Sequence, residues 1–167
     1  GDAPRGIDGC GIPVIAIPLG NIALAMARLA KPDDQPEPRQ AAAERIRAAL
    51  AAEPFLVAGT DRFDTRVIEA TGGRALIKTG AEGVFCAMLP ETGLGVALKV
   101  ADGAQRAAEV AMAHVLIRLG VPGIAASDIE DLIEPRIFHR GGQAVGSVRA
   151  IADMDRISDL ERRNVLI

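Results

Sequence analysis

In the middle of the chain, apolar β-forming side chains run between glycine and proline breaks, a pattern that predicts three short strands. The runs occupy residues 75–77, 84–89 and 94–100, and Pro90 to Gly93 separate the second run from the third. Such runs, bounded by Gly and Pro, are typical of a β-hairpin. Because the runs are nearly continuous in apolar residues, we expect both faces of these strands to be covered.

Apolar residues recur at helical spacing on either side of these strands, which predicts helices there. Asn21 is the expected cap of a helix that ends near Ala30. Asp102 and Gln105 have the spacing of a capping box for a helix that ends at Leu119. The other predicted elements are a helix over residues 39–52, a short helix that ends at Gly72-Gly73, a short element at 129–133 and a last strand at 144–150.

The first and last of these helices each have an apolar face that we expect to pack on other elements. The two faces are Ile22, Ala25, Met26 and Leu29, and then Ala104, Ala107, Ala108, Ala111, Val115 and Leu119. This element order predicts an α/β (α+β) fold, with helices packed on a mainly antiparallel sheet. We expect residues 1–150 to form a single domain and residues 151–167 to form a charged, weakly helical tail.

Composition and charge exclude several classes of function. The formal net charge is −3, so the chain has no electrostatic footprint for nucleic acid or an anionic membrane. No apolar run reaches the ~20 residues of a membrane span. The two cysteines, Cys10 and Cys86, are too few for a disulfide scaffold and fit a reducing compartment. Because the first residues also lack the pattern of a signal peptide, we expect a cytoplasmic protein.

Lys78 is the first candidate functional residue, because it ends an apolar strand and precedes Thr79 and Gly80. A lysine among apolar residues is unfavourable unless it is paired, functional or able to reach water. Two interpretations stay open on these residues alone. Either the side chain extends its ammonium to the surface, or it acts on a substrate beside a turn whose backbone donates hydrogen bonds.

Asp8 and Cys10 form a second candidate site, since they are two residues apart and flanked by glycine. On an extended backbone they would point to the same side. A carboxylate and a thiol together can bind a metal or position a substrate amine. The alternative is an Asp-Gly turn beside a small buried cysteine. We expect His114 to lie at a boundary or surface position and not to be a ligand.

Several separated blocks of the sequence, in order, resemble the rhizobial-type (thermolabile) L-asparaginase family. They are Asp8-Gly-Cys-Gly-Ile-Pro-Val14, Lys78-Thr-Gly-Ala-Glu-Gly-Val-Phe-Cys86, Gly93-Leu-Gly-Val-Ala-Leu-Lys-Val-Ala-Asp-Gly103, Arg106-Ala-Ala-Glu109 and Val145-Gly-Ser-Val-Arg149. The resemblance covers most of the chain. It implies a fold like that of the serine β-lactamases and glutaminases, in which Lys78-Thr79-Gly80 looks like their Lys-Thr-Gly motif.

The same resemblance implies an activity and a set of roles. The complete protein would hydrolyse L-asparagine to L-aspartate and ammonia, with Lys78 as the base or proton shuttle of a Ser-Lys pair. Asp8 would be catalytic or hold the α-amino group of the substrate, and Cys10 would be a zinc ligand. The residues expected to line the substrate are Thr79, Gly80, Ala81 and Glu82.

The chain departs from the family pattern in one respect. Family members are about twice as long, and their N-terminal half carries a Ser-x-x-Lys motif and further zinc ligands. Here the serines are Ser127, Ser147 and Ser158, and none has a lysine three residues later. We therefore expect an incomplete fold, the C-terminal half of such an enzyme, whose open sheet edge is covered by the N-terminal half or by a second copy in a homodimer.

Two alternatives to the asparaginase hypothesis stay open. The chain alone would be an inactive half-domain that completes or dimerises with another polypeptide. Otherwise the complete protein would be a related glutaminase or amidase, because the residues that size the pocket lie partly in the other half.

Overall fold

The structure is a computed structural model that describes residues 3–125 and 129–151. Its strands are β1 (Arg5–Ile7), β2 (Pro13–Ile15), β3 (Leu76–Thr79), β4 (Val84–Leu89), β5 (Leu94–Lys99), β6 (Arg136–Phe138) and β7 (Ala144–Ser147). Its helices are α1 (Leu19–Ala30), α2 (Glu37–Ala52), α3 (Pro54–Ala58), α4 (Phe63–Ala70), α5 (Gln105–Arg118) and α6 (Glu130–Ile133). Helices and antiparallel sheets confirm the predicted α+β class.

The three strands predicted in the middle of the chain form an antiparallel sheet in the order β3-β4-β5. The strand boundaries agree with the prediction to within two residues. Lys78 lies inside β3 and not after it, because its pairing with Cys86 continues the ladder one register position further, to Thr79 and Phe85. β3 and β5 are the edges of the described sheet.

Helix α1 packs directly on one face of the sheet at Gly95 of β5. A Cβ atom at Gly95 would lie 2.0 Å from the backbone oxygen of Ala23 and 2.2 Å from the backbone nitrogen of Ala27. The absence of a side chain therefore allows helix and strand backbones to approach closely. Arg47 of α2 donates to the backbone oxygens of Leu29 and Ala30, so α2 satisfies carbonyls at the end of α1.

The opposite face of the sheet carries most of the core, beneath α4 and α5. Phe85 of β4 is fully buried and meets Phe63 of α4 edge to face, with ring centroids 5.4 Å apart. Met112 and Leu116 of α5 are also fully buried. A bidentate ion pair between Arg66 of α4 and Asp131 of α6, with both N–O distances 2.7 Å, ties α6 to this layer. The hydrogen bonds to that guanidinium lower the pKa of the Asp131 carboxyl group.

The predicted helix caps were wrong. Helix α1 begins two residues before Asn21, with Pro18 at its N-cap, because proline has a backbone angle suited to that position. Helix α5 has Ala104 at its N-cap, and the carboxylate of Asp102 instead accepts from the Ala104 N–H at 2.8 Å, so no capping box forms.

The predicted apolar faces were only partly right. In α1 the fully buried residues are Ala23 and Ala30, which were not predicted, while Met26 and Leu29 of the predicted face are partly buried against the core. In α5 the buried set shares only Ala108 and Val115 with the predicted stripe; it is Ala108, Val110, Met112, Ala113, Val115 and Leu116.

Two isolated hairpins flank the domain. Strand β1 pairs with β2, and β6 pairs with β7, and among the described residues neither hairpin joins the central sheet. The predicted last strand corresponds to β7, which ends at Ser147, whereas β1, β2 and β6 were not predicted. Both hairpins are exposed, including apolar side chains such as Ile7 and Phe138.

Across residues 3–125 and 129–151, no helix is long and apolar enough to cross a membrane. The predicted tail lies outside the described residues, apart from Ile151. The boundary of a single domain at residue 150 stays a prediction.

Candidate functional site

Lys78 lies near the end of edge strand β3 with its ammonium exposed. Its Nζ atom donates to the backbone oxygen of Thr79 at 2.7 Å. Lys78 pairs with Cys86 in β4, which in turn pairs with Ala97 in β5. Residues directly opposite each other in a sheet project to the same face, so these three side chains form a row across the sheet.

This row lies on the face that α1 covers only in part. Helix α1 contacts that face at Gly95, which shares the face with Ala97 two residues further along β5. Ala97 is buried, Cys86 is half-buried and Lys78 is exposed. Cover on this face therefore decreases from β5 towards β3, and the Lys78 end is open to solvent.

The thiol of Cys86 lies next to Lys78, and its pKa depends on the charges around both residues. Its Sγ atom lies 3.6 Å from the backbone oxygen of Lys78. Burial raises the pKa of the Cys86 thiol above its ordinary value, while the positive charge of Lys78 lowers this pKa and the negative charge of Asp64 raises it. The thiol is therefore within electrostatic reach of both charged groups.

Asp64 is a residue of this site that the sequence analysis missed. It lies in the first turn of α4 and is only 1% exposed. Its Oδ2 accepts from the backbone N–H of Thr79 at 2.9 Å, and its Oδ1 accepts from the Thr79 hydroxyl at 2.5 Å. The one signal in the sequence is an acidic residue between Phe63 and Thr65 at the start of an apolar helix, which does not indicate its partner.

The bond to Asp64 also places the side chain of Thr79. Successive side chains of a strand point to opposite faces, so the Thr79 hydroxyl lies on the face opposite the Lys78 ammonium, engaged with Asp64. Beside Lys78, the groups of residues 79–82 that are available to contact a substrate are therefore the backbone of Thr79 and the turn that follows it. That Thr79, Gly80, Ala81 and Glu82 line a substrate stays a prediction.

The turn between β3 and β4 is tight and has an unusual backbone. The Gly80 N–H donates to the oxygen of Val84 at 2.7 Å, which closes the turn. Glu82 has φ of 56°, in the left-handed region, followed by Gly83 at 68°. A non-glycine residue costs roughly 1–2 kcal/mol in that region. The exposed Glu82 side chain is therefore attached to a strained backbone, and its Oε2 atom lies next to Gly103.

Asp8 and Cys10 lie together in the turn of the β1-β2 hairpin. The Gly9 N–H donates to Asp8 Oδ1 at 2.7 Å, and Cys10 Sγ lies 3.5 Å from Asp8 Oδ2. Both residues are exposed, so Cys10 is not the small buried residue of the alternative interpretation. No hydrogen bond or ion pair within the described residues joins this turn to Lys78.

The chemistry of this pair fits part of a zinc site. A thiolate and a carboxylate are both zinc ligands, but a structural zinc takes four ligands and a catalytic zinc takes three from the protein. Within the part of the chain that the structure describes, no group of three His, Cys, Asp or Glu side chains is placed to hold a metal ion. Cys10 and Asp8 supply two donors, and zinc binding stays a prediction.

Ser147 is the one serine within the described residues, and it lies in hairpin β6-β7, a sheet separate from that of Lys78. Its Oγ donates to Glu134 Oε1 at 2.6 Å. No lysine follows it three residues later. The pocket that Ser147 lines also includes Glu130, Asp131 and Glu134.

Comparison with known protein families gives a match that covers most of the chain. A protein-family model described as L-asparaginase II matches residues 1–150, which include the Asp8-Cys10 turn, Lys78 and the β3-β4 turn. No curated protein matches the chain. The match extends over most of the chain and confirms the resemblance of the separated sequence blocks. The chain therefore belongs to the L-asparaginase II family of hydrolases.

Proposed function

We propose that this chain supplies part of the active site of an L-asparaginase, which hydrolyses L-asparagine to L-aspartate and ammonia. Membership of the family supports the reaction. The observation that carries the proposal is the position of Lys78, exposed at the uncovered end of a sheet face and followed by a tight turn. An uncovered face beside a lysine is a place where a second segment can dock and complete a catalytic pair.

In the proposed reaction, Lys78 is the base of a Ser-Lys pair. The serine Oγ attacks the side-chain amide carbon of asparagine, and its proton passes to Lys78 Nζ. The lysine then gives this proton to the departing ammonia, and water hydrolyses the acyl-enzyme. A lysine acts as a base only where burial or a nearby cation favours its neutral form. The exposed Lys78 therefore needs a covering segment, and we propose that this segment carries the serine.

The nucleophile of this pair is assigned to a segment outside the chain. No serine of this sequence has a lysine three residues later, and Ser147 lies in a separate hairpin. We propose that the chain corresponds to the C-terminal half of the enzyme. The N-terminal half would then bring the serine onto the open face beside Lys78 and Cys86.

We further propose that Asp8 binds the α-amino group of the substrate and that residues 79–82 line the rest of it. An exposed carboxylate attracts a substrate ammonium, and the turn offers backbone groups beside Lys78. Cys10 would hold zinc together with ligands from the other half. Bound zinc would fix the conformation of the β1-β2 turn and so the place of Asp8.

The test is ammonia release from L-asparagine by the complete protein. Lys78→Ala should lower kcat by ~1,000-fold or more, since it removes the base of the pair. Lys99→Ala is the matched control, because Lys99 also ends a strand, is exposed, and donates from Nζ to the next backbone oxygen. Near wild-type turnover in Lys78→Ala, or an equal loss in both variants, would refute the role of Lys78.

A second candidate function is a half-domain that is inactive by itself and dimerises or completes another polypeptide. The open end of the sheet face and the two exposed hairpins favour it. The chain alone, folded by circular dichroism, should release no ammonia with or without zinc, and sedimentation should show a homodimer. Turnover by the chain alone would contradict this candidate. Comparing asparagine with glutamine as substrates of the complete protein tests the related-amidase alternative.

A further inference from the structure

Asp64 uses both of its carboxylate oxygens on a single residue next to Lys78. The carboxylate accepts from the backbone N–H and the hydroxyl of Thr79, at 2.9 and 2.5 Å. Hydrogen bonds to a charged acceptor are about twice as strong as neutral ones. A carboxylate that is 1% exposed is also costly unless it is fully hydrogen-bonded. This contact is therefore one of the most strongly determined in the neighbourhood of Lys78.

The contact acts on the peptide group that joins Lys78 to Thr79. The N–H of that planar group is held by Asp64, and its carbonyl oxygen lies 3.6 Å from the Cys86 thiol on the other side. Because the peptide is held from both sides, the backbone of Lys78 cannot rotate freely. The direction in which the Lys78 side chain leaves the strand is set by this arrangement.

Asp64 also satisfies a backbone N–H group at the edge of the sheet. β3 is an edge of the described sheet, and the unpaired N–H groups of an edge strand can donate to the carbonyl oxygens of any strand that approaches. At Thr79 the carboxylate of Asp64 accepts this hydrogen bond in place of a strand carbonyl. A docking segment is thereby kept from adding as a further strand at this point and is left with the face of the sheet, where Lys78 lies.

The charge of Asp64 reaches the site as well as its hydrogen bonds. It raises the pKa of the Cys86 thiol, whose side chain is on the same face as that of Lys78. The carboxylate lies in the first turn of α4, where the helix dipole favours a negative charge. Its position is thus supported by the helix independently of Thr79.

We propose that Asp64 is a positioning residue for amide hydrolysis, which orients Lys78 and the turn after it by holding Thr79. This inference rests on the proposed function, because it assumes that Lys78 is the base. A base displaced by about 1 Å loses on the order of 100-fold in rate while ground-state binding changes little. The effect of losing Asp64 should therefore appear in kcat and not in KM.

The experiment measures kcat, KM and thermal stability of the complete protein carrying Asp64→Asn, Thr79→Val or both. Each single variant removes part of the contact and should lower kcat at least ~10-fold with KM within about twofold. The double variant should lose little more than either single one, since both act through one contact. Asp131→Asn is the control: it removes a carboxylate from a helix that packs near α4 and should leave kcat unchanged.

The outcomes separate this inference from the proposed function. If Lys78→Ala is inactive but both single variants keep wild-type kcat, the positioning role is wrong and the role of Lys78 stands. If Lys78→Ala is active, the proposed function itself fails. Loss of thermal stability with unchanged kcat below the transition would show that the contact is structural only. If Asp64→Asn does not fold, Thr79→Val, which keeps the volume and loses only the hydroxyl, decides the matter.

Discussion

Lys78 and Cys86 lie directly opposite each other on neighbouring strands, with the thiol sulfur 3.6 Å from the backbone oxygen of the lysine. The pair puts a titratable probe beside the proposed base. Cys86 is half-buried, and its pKa responds to Lys78 and to Asp64 in opposite directions.

The first prediction concerns the pH dependence of Cys86 alkylation. Burial raises the pKa of this thiol, so it reacts slowly at neutral pH, and its rate increases only as the pH rises beyond the ordinary range of a cysteine. Lys78→Met removes a positive charge that favours the thiolate, so the profile should move to higher pH. The measurement is iodoacetamide labelling resolved by peptide mass spectrometry, which separates Cys86 from Cys10. A profile that moves to lower pH would contradict the geometry.

The same shift has a consequence for stability. Because the folded pKa of Cys86 is above the unfolded one, the folded protein binds the proton more tightly. The contribution of Cys86 to stability is therefore complete below the unfolded pKa and is lost as the pH rises through the folded pKa.

The second prediction concerns the contact between α1 and the sheet. Gly95→Ala places a methyl group 2.0 Å from the Ala23 oxygen, and a backbone atom cannot yield as a side chain can. Overpacking of this kind costs about 3 kcal/mol or more. Gly6→Ala is the control, since its Cβ would meet only the Val14 side chain at 3.7 Å. Denaturant unfolding should show the large loss for Gly95→Ala alone; equal stability of the two variants would contradict close packing of α1.

The third prediction concerns the strained backbone of Glu82. Glu82→Gly relieves a left-handed conformation and should raise the free energy of unfolding by about 0.5–1 kcal/mol, after allowing for the greater freedom of glycine in the unfolded chain. Ammonia release by the complete protein should fall, because the variant removes a side chain proposed to line the substrate.

Asp61→Gly is the matched control for Glu82→Gly. Asp61 also has a positive φ, of 55°, but lies in the connection before α4. Its replacement should give a smaller gain in stability, since Asp tolerates this conformation better, and should leave turnover unchanged. A Glu82→Gly protein that is more stable and fully active would show that the side chain has no part in the site.

The central sheet was predictable because its strands are apolar runs bounded by Gly and Pro, a local signal. The start of α1 and its buried face were not: the helix begins at Leu19, directly after Pro18, and Ala23 is buried where the helix approaches Gly95. Strand β6, three exposed residues long, has too short a pattern to be recognised.

The residues of the candidate site were likewise predicted only in part. Lys78, Asp8 and Cys10 were identified from local motifs and from resemblance, and the structure describes their surroundings. Asp64 was missed because its partner is 15 residues further along the chain and on another element. A hydrogen bond between a helix and a strand edge leaves no periodic signal in either segment.

The two exposed hairpins make this chain prone to aggregation. More than half of the surface of three apolar side chains is exposed: Ile7 and Ile15 of one hairpin and Phe138 of the other. Isolated two-stranded hairpins are marginally stable in water unless another segment packs on them. Their free edges are templates for strand pairing between molecules. This chain should therefore aggregate faster as its concentration rises. A partner segment that covers the hairpins would keep it soluble.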